Sequence, residues 1–413
     1  LLVNLSTPVG VNIVDGSATG TITVANPAGT FVISEIRTTG PAGLGDDFVE
    51  LYNNSNSPLT VTSSDASGGY GLFKMGATGA DTPVLIGTIP NGTIIPARGH
   101  YLFVGSAYSL ANYGGSGAAA GDLTLTSDIE TDRNVAIFST ANVANLSSVN
   151  RLDAVGFGSN TGGNSDLLRE GSTLPSTGAP TLEGSYQRDQ CGKLANSAVF
   201  GACPTGGLPK DSNNNVQDFF WADTVGTNPA GPHLGAPGPE NTGSPLLRNA
   251  GLPALLLDAT KAGSAEPNRG RNLAPVTNGA NGTLTVRRRI RNDTGGPVTR
   301  LRFRIIDFST LPTSGGIADL RALDSSNITI SGILDSQTCT ATGTPMTTPC
   351  MVTVVGTVVE TPPAQGNGGG NNSTYTVVLG TPLANGASIN VQWVLGVQTT
   401  GSFKFFFNVE ALP

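Results

Sequence analysis

Apolar residues in this chain recur at every second position, in short runs that Gly, Pro, Asn and Asp cut at close intervals. That period belongs to half-buried β-strands rather than to helices. With 56 Gly and 27 Pro among 413 residues, a long amphipathic helix has almost nowhere to form. The expected fold class is all-β. The length suffices for two or three domains with cores of their own. Only 12% of residues are charged, about half the usual 25%, which favours an extracellular architectural protein over an enzyme. There is no run of 18 apolar residues, so no membrane span is expected. The absence of an initiator Met and of a signal h-region reads as a mature product or an excerpt.

Residues 1–30 read as a donor hairpin with no domain of its own. Leu1, Val3 and Leu5 share one face, Val9, Val11 and Ile13 follow, and after Asp15-Gly16 a further run sets Ile22 and Val24 on one face. A lone hairpin is marginal in water, because its apolar face stays wet and both edges keep unpaired groups. Leu1, Val3, Leu5, Val11, Ile13, Ile22 and Val24 are therefore expected at an interface. The wording Val3-Asn4-Leu5-Ser6-Thr7-Pro8, then Asp15 to Ile22, resembles the closing strands of a Calx-β-type sandwich, with the preceding strands missing.

From Phe31 a second unit begins. Phe31-Val32-Ile33-Ser34-Glu35-Ile36 is followed by a Gly/Asp-rich turn and Asp46-Asp47-Phe48-Val49-Glu50-Leu51-Tyr52-Asn53. Then come Ile94 to Val104, Asn134 to Phe138, Leu152 to Gly158 and Ser185-Tyr186-Gln187-Arg188. In that order these pieces resemble the lamin-tail domain of the bacterial surface type, over about 31–235. The resemblance implies an immunoglobulin-like β-sandwich and an interaction or anchoring module rather than catalysis. It departs from the family in long insertions at about 105–131 and 159–183.

Residues 236–250 are a Gly/Pro-rich linker. Over 251–413, about eight strands at sandwich-like spacing predict a second immunoglobulin-like sandwich of no assigned family: 255–257, 284–290, 301–305, 328–330, 352–359, 375–379, 389–397 and 403–409. Alternating Phe403, Phe405 and Phe407 against Lys404 and Phe406 make the last strand central, or covered on both faces.

Charge is split along the chain. Residues 1–268 hold 11 Lys and Arg against 22 Asp and Glu, a net −11; residues 269–413 hold 11 against 7, a net +4. Arg287, Arg289, Arg291 and Arg300, Arg302, Arg304 fall on two strands expected to be neighbours, with Arg288 alone on the apolar face. A solvated arginine ladder is the first expectation, and contact with the acidic half of another subunit the second. The chain is acidic overall and no aromatics interleave with the arginines, so no nucleic-acid partner is expected.

The four cysteines form two local pairs, Cys191 with Cys203 and Cys339 with Cys350. Disulfides and an oxidising compartment are expected over free thiols. Zinc fits poorly, since there is no Cys-x-x-Cys and the histidines are only His100 and His233. Sequons at Asn4, Asn53, Asn91, Asn145, Asn281, Asn292, Asn327, Asn371 and Asn372 allow surface glycans. Glu35, Asp47 and Glu50 are the most enzyme-like residues, a carboxylate set of the kind glycosidases use, but salt bridges and turn contacts account for them better. Asp211, Asn213, Asn215 and Asp218 space oxygen ligands as a calcium loop begins. That loop's glycine and terminal glutamate are missing, and Asx-turns are the alternative. No Gly-x-Ser-x-Gly elbow occurs, so no catalytic residue and no cofactor are assigned.

Together these features predict a secreted structural protein of the cell surface, bacterial by the resemblance, not an enzyme. Its partner would be itself, as a head-to-tail filament in which one subunit donates its N-terminal strands to the next, the acceptor being expected in the C-terminal domain. The alternatives are a segment of a larger adhesin or surface-layer protein and, more distantly, a secreted carbohydrate-active enzyme.

Overall fold

The computed structural model describes residues 2–4, 17–19, 29–63, 65–76, 81–110, 119–131, 133–158, 162–177, 181–190, 208–227, 233–341, 347–377 and 379–413. The fold is all-β. Leu2–Asn4 pairs antiparallel with Ser17–Thr19, directly after Asp15-Gly16, with Val3 opposite Ala18. Among the described residues this two-stranded sheet joins no other sheet. Leu1, Leu5, Val11, Ile13, Ile22, Val24, Cys191 and Cys203 lie outside the described residues.

Among the described residues the second unit has two large sheets and a two-stranded one, Leu59–Thr60 with Ile94–Ile95. Seven strands run in the order Leu123–Thr124, His100–Val104, Phe48–Asn53, Phe31–Arg37, Gly184–Arg188, Phe219–Asp223, His233–Leu234. Four others run Arg151–Val155, Val135–Phe138, Gly69–Lys74, Val84–Pro90. Alternate residues such as Ile33, Val49, Leu51, Phe103, Leu72 and Ile137 meet between the sheets in one apolar core, as a period of two requires. Within the insertion at 105–131, Leu123–Thr124 adds a parallel edge strand.

The C-terminal unit also has two sheets. One has the order Leu246–Leu247, Phe405–Leu412, Arg300–Phe308, Thr374–Val377, Val358–Val359; the other runs Ala254–Leu256, Thr283–Arg291, Ser388–Thr399, Asp319–Leu323, with Arg269–Asn272 also on Thr283–Arg291. Trp393 is fully buried between them, 4.9 Å from the ring of Phe303 and 4.7 Å from that of Phe407. A hairpin of Ile328–Ile333 with Cys350–Val354 carries the Cys339–Cys350 disulfide at its loop end.

Four expectations need correction. Thr283–Arg291 and Arg300–Phe308 are not neighbours but lie in opposite sheets, because the intervening segment crosses between sheets instead of turning a hairpin. Arg302 and Arg304 are buried, not solvated. The closing strand is buried over 408–411, but Phe405 and Phe407 are only partly buried and Phe406 is 44% exposed. The sequons at Asn53, Asn292 and Asn371 are buried in the fold, so the folded chain offers no room for glycans there.

Candidate functional site

The linker is the least linker-like part of the molecule. Gly235 bridges Asn371, and Ala236 and Glu240 are buried. Glu240 lies where the outer face of the seven-stranded sheet meets the outer face of the C-terminal five-stranded sheet. The 105–131 insertion holds this segment from the side: Thr242 Oγ1 donates to Asp122 at 2.6 Å, and Asn241 Nδ2 donates to Ala120 O at 2.9 Å.

Strand alternation sends Glu35, Glu50 and His100 to that outer face from three adjacent strands. From the other unit, Arg302 and Arg304 share a face with Glu410 on the neighbouring strand. Glu35, Glu50, His100, Arg304 and Glu410, with Glu240, line a cavity of about 60 Å³. Arg304 Nε donates to Glu410 at 2.9 Å, and a second guanidinium nitrogen reaches Glu240 at 2.9 Å. Arg302 Nε donates to Glu410 at 2.7 Å, and Arg302 also pairs with Glu240. Arg300 closes the row on Glu360 at 2.6 Å.

The acidic side is held largely by N–H groups of the linker. Glu240 N donates to Glu50 at 2.6 Å and Gly238 N to Glu35 at 3.1 Å. Ser185 and Asn372 also donate to Glu35, at 2.5 and 3.2 Å. Burial pushes Glu35 upward from the ordinary glutamate range despite these bonds and Arg304. Burial, with the neighbouring Glu35 charge, pushes Glu50 well above it. Burial lowers His100 to about 3, so the ring is neutral. Glu410, although buried, is held low by Arg304 and Arg302.

Glu50, His100 and Glu240 bring ligand atoms within 4.8 Å of one another, a nitrogen and oxygen set of the kind zinc accepts. Both Glu240 oxygens already face guanidinium groups, so positive charge in this cavity is supplied by arginine. Charges of both units are desolvated together here and pair across the joint.

Asp47, the third enzyme-like residue, lies elsewhere. It accepts the Ile129 N–H, burial raises it to about 7, and a Cβ on Gly105 would come within 1.6 Å of its Oδ1. The calcium candidates do not converge. Asp211 accepts from Asn213 N in an Asx-turn, Asn213 has φ 57°, and Asp218 accepts from Ser212 N and Oγ. Asn215 points into the core, bonding Gly156 N and Ala154 O. The cation beside them is Arg188, 3.9 Å from Asp211 and 3.7 Å from Asp218, and paired with buried Asp153.

Sequence reasoning singled out Glu35 and Glu50 but missed Glu240, Glu410 and Glu360. The alternation of Asn408 and Glu410 with Val409 and Ala411 was the one available signal. Comparison of the chain with protein-family profiles, with curated proteins and with solved structures finds no match.

Proposed function

We propose that this chain is a structural subunit of an extracellular, head-to-tail assembly, in which the N-terminal strands of one copy complete a sheet of the next. The observation that carries this reading is the sheet of Leu2–Asn4 with Ser17–Thr19, which joins no other sheet of the described residues. Two strands alone leave both edges unpaired and are marginal in water. A neighbour supplying the remaining strands resolves that deficit by β-augmentation, and a contact between two different surfaces propagates as an open polymer unless it closes a ring.

The joint supports the same reading. A subunit that transmits tension along a fibre needs its domains fixed, and here the linker is sewn into both units by buried ion pairs and backbone bonds. The Cys339–Cys350 disulfide is compatible with an oxidising, extracellular setting. The lamin-tail likeness of 31–235 is proposed in the same sense, as an anchoring module without catalysis.

The test is a synthetic peptide of residues 1–25 added to the full chain. It is expected to bind and to cap growth, shortening the assemblies in proportion to its concentration. A peptide that neither binds nor alters assembly length contradicts the reading.

A further inference from the structure

The Phe405–Leu412 strand is paired along one side with Arg300–Phe308 but only briefly along the other. Leu246 and Leu247 face Ala411 and Glu410, and Arg248 N donates to Val409 O at 2.8 Å. The Val409 N–H then goes to the Asn249 side chain, after which the chain leaves for the opposite sheet. Residues two and four before Val409 turn their backbone groups the same way. Among the described residues, Phe405 and Phe407 have no ladder partner on that side.

The side chains along this edge are built for contact. Phe405 and Phe407 pack against the core yet are only partly buried, and their rings lie 5.5 Å apart. Two residues on, Phe403 has the Arg269 guanidinium 5.8 Å from its ring. Both Phe403 and Arg269 line a recess of about 320 Å³ with Leu284, Leu320 and Val397. The edge therefore offers two aromatic positions and then a cationic one, spaced at i, i−2 and i−4.

Resting on the donor-strand reading above, we propose that this open edge is the acceptor, and that its occupant is Gly10–Asp15 of a second copy of this chain, running antiparallel. The sequence of that segment matches the edge at the same spacing. Val11 falls opposite Phe407, Ile13 opposite Phe405, and Asp15 opposite Phe403, where Arg269 waits. The backbone of Val11 and Ile13 then supplies the partners that Phe407 and Phe405 lack, and Asn249 sets the limit beyond which the donor strand does not pair. Charge agrees too: the C-terminal unit carries the positive balance, and Asp15 is the only charged residue in the first 30.

Disulfide trapping tests this. The full chain carrying Ile13→Cys and Phe405→Cys, oxidised in air, is expected to give a ladder of covalent multimers, at least tenfold more than a chain carrying Ile13→Cys and Phe406→Cys, whose second site lies on the opposite face. Equal yields overturn the proposal, and so does a link formed within one chain, which would mean that the edge is filled in cis. Asp15→Arg and Arg269→Asp give a second readout that spares the aromatic edge: each alone is expected to reduce assembly, and the two combined in one chain to restore it. No recovery overturns the pairing. If deleting residues 1–25 abolishes assembly while both tests fail, only the acceptor is misplaced. If the deletion leaves assembly intact, the donor reading falls with it.

Discussion

Glu35 and Glu50 are ladder partners on adjacent strands, two carboxylates side by side on the buried outer face of the seven-stranded sheet. Like charges directly opposite destabilise a sheet, and burial sharpens the repulsion. Their neighbours make the pair tolerable. Linker N–H groups of Gly238 and Glu240 reach one carboxylate each, and Arg304 bears on both. The pair therefore makes the first unit dependent on the linker and on the second unit.

Arg304 is the residue on which this dependence converges. Arg304→Met leaves Glu240 and Glu410 each short of a buried partner, and breaking a buried pair from one side costs about 3–5 kcal/mol. Urea unfolding of the full chain is expected to pass from one transition to two, because the units lose their coupling. A single transition with an unchanged midpoint would show that the joint is not electrostatic.

The joint also sets a pH dependence. Glu35 and Glu50 titrate higher folded than unfolded, so the unfolded chain binds fewer protons, and their contribution, complete at acid pH, is lost as pH rises through the folded values. Asp47, raised to about 7, adds in the same direction. His100, lowered to about 3, acts oppositely, costing stability as pH falls below its ordinary value. Glu50→Gln is expected to flatten the decline that sets in as pH rises above the ordinary glutamate range, and to leave the variant the more stable of the two at the alkaline end. Parallel stability curves for variant and parent would contradict the assignment.

Much of this architecture was legible beforehand, for identifiable reasons. The eight strands expected after residue 250 appear at or near their places, 352–359 as two strands in different sheets, because most of them carry a period of two bounded by turn residues. Asp319–Leu323 stands outside that set: Asp319 and Arg321 do alternate with Leu320 and Ala322, but the alternation lasts only four residues before Leu323 breaks it. The arginine face of Arg300–Phe308 was legible as a face but not as a buried one. Alternation separates the two sides of a strand without saying whether water or another sheet lies beyond the polar side. Glu240 was hidden for a different reason: it stands in a Gly/Pro segment with no period at all, and only the tertiary fold brings it to Arg302 and Arg304.

The Cys339–Cys350 bridge closes a loop of 11 residues' separation, and cross-links of that span contribute about 3 kcal/mol by restricting the unfolded chain. Replacing both cysteines by Ala is expected to lower the melting temperature by several degrees while leaving assembly unchanged, since the bridge lies in the Ile328–Val354 hairpin and away from the joint. Loss of assembly at normal stability would move the acceptor to this hairpin.

The central claim is that the N-terminal strands connect one subunit to the next. Burying Val3, Leu5, Val11, Ile13, Ile22 and Val24 at about 1.5–3 kcal/mol each gives roughly 9–18 kcal/mol of gross apolar stabilisation before association entropy is subtracted, whereas exposed ion pairs give about 0–1 kcal/mol and are screened. Sedimentation velocity in about 1 M NaCl, comparing the full chain with one lacking residues 1–25, measures this directly. The account predicts that the full chain remains polymeric and that the shortened chain is a folded monomer; polymers of normal length from the shortened chain would contradict it.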